Sequence, residues 1–143
     1  MTNPLRMTAA ELRAVRDHMA TGEAREDRRR VRGTVRVEID GIRFDSKLES
    51  RCYLLLREMQ RQGIITDLRH QVDIVLLGRD RSIRTPTGKD MRYRADFTFR
   101  RDGRRVVVDA KGHKTDTYLM KKAILSAQGI EIHEYTAKGG LKP

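Results

Sequence analysis

Hydrophobic positions along the chain follow two periods, and each period predicts an element. Leu12, Val15 and Met19 recur at helical spacing behind Thr8 and Glu11, a T-x-x-E capping box, so residues 8–21 predict a short amphipathic helix. "GEAREDRRRVRG" follows with almost nothing to bury, and residues 22–33 read as a linker or basic arm. "TVRVEIDGIRF" then alternates, with Val35, Val37 and Ile39 on one strand and Ile42 and Phe44 on the next. An Asp40-Gly41 turn between them sets Glu38 opposite Arg43. In "DSKLESRCYLLLREMQRQG" the period lengthens again, predicting the main helix, with Leu48, Cys52, Leu55 and Met59 as its buried stripe and Gly63 at its end.

The second half continues in the same way. "IITDLRHQVDIVLL" predicts a strand, and "GRDRSIRTPTGKD" (78–90) a polar, basic, mobile loop. "YRADFTFRRDGRRVVVDAKG" (93–112) predicts a hairpin. A helix from Asp116 to Gln128, capped by Thr115 or Asp116 and closed by Gly129, leads to a strand at 130–135. The order is that of an α/β unit, a mixed β-sheet flanked by helices. We divide it into an N-terminal helix and basic arm (1–33), a core (34–136) and a flexible tail (137–143) that frays.

Composition sharpens this picture. A chain of 143 residues suits one domain, and 38% hydrophobic against 36% charged residues suits a folded domain with basic ends. With 31 Lys and Arg against 20 Asp and Glu, the net charge of +11 points to a polyanionic partner such as nucleic acid. No apolar run approaches the ~18 residues of a spanning helix, and no signal-peptide core opens the chain, so we expect a cytoplasmic protein with no membrane partner. Cys52 is the single cysteine, which excludes an intramolecular disulfide and disfavours a thiolate zinc site. His18, His70, His113 and His133 show no ligand-like spacing and read as surface or strand residues.

The 93–112 hairpin holds the candidate chemistry. A two-residue Asp102-Gly103 turn pairs Arg101 with Arg104, Phe99 with Val106, Phe97 with Val108 and Asp96 with Asp109. Ala95, Phe97, Phe99, Val106, Val108 and Ala110 then share a core face, while Asp96, Asp109 and Lys111 share the other. Opposed carboxylates about 5 Å apart repel by roughly 3 kcal/mol at an effective dielectric near 20. A divalent cation such as Mg²⁺ or Mn²⁺ would compensate, as would a shared proton. A bulge that changed the register would instead leave both as ordinary solvated residues.

The D-x12-D-x-K pattern resembles the active-site signature of the PD-(D/E)XK nuclease superfamily, in particular its small phage and prokaryotic Holliday-junction-resolvase-like or endonuclease-like branch. "FDSKLESRCYLLL", "GIITDLRHQ" and "VVVDAKGHKTDTYLMKK" extend the similarity over about residues 42–135. It departs from the family pattern in Ala95, where a proline is common, and in Asp109, where a glutamate is commoner. The resemblance implies a restriction-endonuclease-like core. It implies Asp96, Asp109 and the Ala110 carbonyl as metal ligands, Lys111 as the catalytic lysine, and Glu49 as a helical acid binding metal directly or through water. Glu49 is equally the closing residue of an S-x-x-E capping box with Ser46. Arg28, Arg29 and Arg30 of the arm, with Lys114, Lys121 and Lys122, are candidate DNA-backbone contacts. Gln71 lines the site or is simply a polar strand residue, and Tyr93 and Tyr118 have no assigned role beyond packing. The implied activity is Mg²⁺-dependent endonuclease cleavage of branched DNA by a homodimer. The alternatives are a non-catalytic DNA-binding accessory and a nuclease for duplex DNA or RNA.

Overall fold

The computed structural model describes residues 7–13, 25–26, 36–110 and 114–142. Both Asp-Gly turns form as expected. Asp40 (φ 52°) and Gly41 (φ 76°), like Asp102 (φ 51°) and Gly103 (φ 74°), are left-handed at both central positions, the combination that matches the twist of hairpin strands. Strand β2 (Val37–Ile39) pairs with β3 (Ile42–Phe44), with Glu38 opposite Arg43. Strand β1 (Arg25–Glu26) joins β2 on its other side, within the segment expected to be a linker or basic arm.

The larger sheet has five strands in sequence order: β4 (Thr66–Val75), β5 (Arg92–Arg101), β6 (Arg104–Ala110), β7 (Ile132–Thr136) and β8 (Gly140–Lys142). All neighbours are antiparallel except β6 and β7, which are parallel and joined through helix α3 (Asp116–Ala127). The architecture is therefore a mixed α/β fold. Part of the tail expected to fray is β8, held by pairing Tyr135 with Leu141 and Thr136 with Gly140.

One face of this sheet packs against α2 (Lys47–Arg61) and the β2–β3 hairpin, with Phe44, Leu56, Met59, Phe97, Phe99 and Val108 at its centre. The other face packs Ile74, Tyr93, Ala95, Val107 and Ile132 with Tyr118 and Leu125 of α3. Burying each large apolar side chain contributes roughly 1.5–3 kcal/mol, so the two layers supply most of the drive to fold. The buried arc of α2 is wider than the expected stripe: Cys52, Leu56 and Met59 are fully buried and Tyr53 nearly so, while Leu48 and Leu55 are only half-buried. The helix lies against both hairpin and sheet, and Asp40 draws Tyr53 towards the hairpin. Its carboxylate accepts from the Tyr53 hydroxyl (3.0 Å) and from Arg57 (2.7 Å).

The single core layer expected of the 93–112 hairpin is not what forms. Tyr93 and Ala95 face α3, whereas Phe97 and Phe99 face α2, so alternation breaks at Asp96. Strand β4 breaks in the same place: Gln71 is left-handed (φ 51°), between His70, which packs on the rings of Phe44 and Phe97, and Ile74, which faces α3. Because both strands are irregular together, their pairing continues from His70–Phe97 to Val72–Ala95.

Residues 78–90, expected to be a mobile loop, are cross-braced. Leu77 bridges Ser82 and Arg84 bridges Asp90, while the Ile83 N–H donates to Leu76 O (2.8 Å) and the Met91 N–H to Ile83 O (2.7 Å). Near the N-terminus, helix α1 is described at residues 9–13, and its capping box closes in both directions. The Glu11 N–H donates to Thr8 Oγ1 (3.2 Å) and the Thr8 N–H to Glu11 Oε2 (2.7 Å). Val15 and Met19 lie outside the described residues. Among the described helices none is long and apolar enough to cross a membrane.

Candidate active site

Pairing between β5 and β6 runs from Arg101–Arg104 to Phe97–Val108, as the turn dictates, and stops there. The next two residues are Asp96 and Asp109. Instead of facing one another as a simple opposed pair, each carboxylate reaches the main chain of the other strand. Asp109 Oδ1 accepts the Asp96 N–H (3.1 Å) and Asp96 Oδ2 accepts the Ala110 N–H (2.9 Å). Where the strands part, side-chain oxygens thus replace carbonyls as partners of the freed N–H groups. These charge-assisted bonds answer the repulsion expected of an opposed pair.

Asp109 is almost fully buried, at 1% exposure, and its Oδ2 also accepts from the Tyr93 hydroxyl. Burial, then the neighbouring Asp109 charge, pushes the Tyr93 hydroxyl far above its ordinary range, so Tyr93 remains a donor. The tyrosine read as a packing residue therefore holds the most buried acid of the site.

Glu49 approaches from α2. Its N–H donates to Ser46 Oγ (3.1 Å), which is one half of the expected capping box. The carboxylate does not return to Ser46. It accepts from His70 Nε2 (2.9 Å), in the tautomer that protonates that nitrogen, and both side chains are largely buried. Cys52 lies one helical turn on, and its thiol is pushed up by burial and then by the charges of Asp96, Glu49 and Asp109. The charges of these three carboxylates, on two strands and a helix, thus all raise the Cys52 thiol.

That donor set is all oxygen and anionic, the chemistry that fits a hard divalent cation such as Mg²⁺ or Mn²⁺. Among the described residues no three His, Cys, Asp or Glu side chains form a ready-made ligand cluster. The fit therefore rests on Asp96, Asp109 and the Ala110 main chain, with Glu49 held aside by His70.

The remaining sequence candidates divide. Lys111 and Arg28, Arg29 and Arg30 lie outside the described residues. Lys114 and Lys122, expected to meet the DNA backbone, instead grip Glu134, at 2.8 Å to Oε2 and 2.9 Å to Oε1, and the Tyr118 hydroxyl donates to the same Oε1 at 3.0 Å. Lys121 donates to the Arg92 carbonyl (2.8 Å). Gln71 is exposed and contributes the backbone irregularity beside Asp96. Burial would raise the Glu134 carboxyl, but the two ammonium groups and the tyrosine hydroxyl outweigh it and hold the group at about 2.

From the sequence alone, Tyr93 and His70 have no part in the site and Glu134 goes unmarked. For Tyr93 the signal is its place three residues before Asp96, with alternation broken between them. For Glu134 it is the parallel register that sets it beside Asp109. No local pattern joins His70 to Glu49.

No curated protein and no solved structure matches the chain. Residues 29–140 match the model of a family described as a protein of unknown function, DUF1064, and the chain belongs to that family.

Proposed function

We propose that the chain is a metal-dependent endonuclease that hydrolyses phosphodiester bonds in DNA, preferring branched structures such as Holliday junctions. One observation carries the reading: Asp96 and Asp109, on different strands, meet where β5 and β6 part, each bonded to the other strand's main chain. The resemblance of D-x12-D-x-K to nuclease signatures, the +11 charge and the exposed arginines of the cross-braced 78–90 segment support it.

Asp96, Asp109 and the Ala110 carbonyl would hold Mg²⁺ or Mn²⁺, with Glu49 joining directly or through water. Such an ion supplies an acidified water and neutralises charge on the phosphate. Tyr93 orients Asp109, and His70 orients Glu49. Lys111, two residues beyond Asp109, would contribute the cation that positions the attacking water. Symmetrical cuts on two strands would come from a homodimer.

The test incubates wild type and Asp96→Asn with a four-way junction, linear duplex, single-stranded DNA and RNA, in Mg²⁺, Mn²⁺ or EDTA. Paired junction cuts that vanish with EDTA and in the variant are expected. Binding to DNA without cleavage in any metal would replace this reading with that of a non-catalytic accessory.

A further inference from the structure

Val107 and Asp109 project from the β6 face that packs against α3. Two residues towards the turn, Arg105 projects from the same face, and its direct partner across the ladder is Arg100. Both are exposed. Like charges at directly opposed positions destabilise a sheet, and among the described residues neither arginine has a carboxylate partner. They line a recess of about 240 Å³ together with Arg69, Thr98, Val72 and Asp67. Asp67 is already engaged by Arg69 at 2.9 Å, so the residues lining the recess include three arginines against one aspartate. A solvated charge run needs no concavity, and an ordinary hairpin gains nothing from two facing arginines.

We propose that this recess binds a backbone phosphate of DNA at a point separate from the carboxylate site. Guanidinium groups present paired N–H donors that match phosphate oxygens, and a phosphate between Arg100 and Arg105 turns their repulsion into shared attraction. The proposal rests on DNA being the partner. Arg105 and Asp109 lie on one face of one strand, four residues or about 13 Å apart, which is about four base steps along a DNA strand. The recess therefore grips an arm of the substrate beyond the bond to be cut, and contributes to affinity and orientation without touching the reacting atoms.

The test measures binding of a labelled DNA duplex across a salt series by the full chain, as wild type, Arg100→Gln/Arg105→Gln and Arg100→Lys/Arg105→Lys. The glutamine pair should weaken binding and make the log–log salt slope shallower by about 2, one contact for each arginine. Its Tm should hold or rise, because a like-charged pair is removed. The lysine pair should keep most of the slope and lose affinity, since charge survives and the paired donors do not. Unchanged slope and affinity in the glutamine pair, or equal loss in both pairs, would overturn the proposal. Failure of wild type to bind DNA would overturn it together with the DNA partner above, whereas binding with the expected slopes but no cleavage would strike only at the nuclease reading.

Discussion

Glu134→Gln isolates the best-defined electrostatic interaction beside the site. The native carboxylate collects Lys114, Lys122 and the Tyr118 hydroxyl, which hold it at about 2 against an ordinary 4.5 although burial opposes them. That difference corresponds to about 3 kcal/mol in favour of the charged folded form. Lys114 is half-exposed, so solvent already screens part of the attraction, and about 2 kcal/mol is expected on removing the charge. Because the folded value lies below the unfolded one, the contribution is complete above the unfolded value near 4.5 and disappears as pH falls through about 2. Glutamine keeps the shape and an acceptor for Tyr118. Urea denaturation of wild type and variant at pH 7, 4.5 and 3 should show a full difference at pH 7 that narrows at pH 3, with equal m-values. A difference that stayed constant with pH would mean that packing, and not charge, holds this corner.

Three further substitutions separate structural from functional roles. Ser46→Ala removes the oxygen that accepts the Glu49 N–H and should cost about 1 kcal/mol of stability with cleavage largely retained. Glu49→Gln leaves that cap in place and should abolish most metal-dependent cleavage with little change in Tm; loss of stability without loss of cleavage would make Glu49 a structural partner of His70 only. Tyr93→Phe deletes the donor to Asp109 Oδ2 and should destabilise the chain by about 2 kcal/mol while lowering kcat more than it raises KM. Equal kcat in wild type and Tyr93→Phe would dismiss a positioning role.

What was legible in the sequence is what neighbouring residues decide. Asp-Gly at 40–41 and 102–103 set two registers, and Thr8, Ser46 and Thr115 each cap a helix through a bond to the residue three positions on. The meeting of Asp96 and Asp109 belongs to the same class, because a tight turn fixes which residues arrive together. What escaped was the way those acids are accommodated. Strict alternation carries Ala95 to the wrong face, since nothing in a glutamine announces the left-handed backbone at Gln71 that allows β4 and β5 to change face together. Once they do, β5 leaves β6 after Phe97, and two main-chain N–H groups lose the carbonyls a regular ladder would have offered. The aspartates supply the missing acceptors, and Tyr93 swings to the Asp109 side. The irregularity and the acid pair are thus one feature: a regular hairpin would have forced the carboxylates against each other, while a parted one bonds them to the chain. Lys114 and Lys122 misled for a related reason, since exposed helix lysines are read as free until the parallel strand that brings Glu134 beneath them is known.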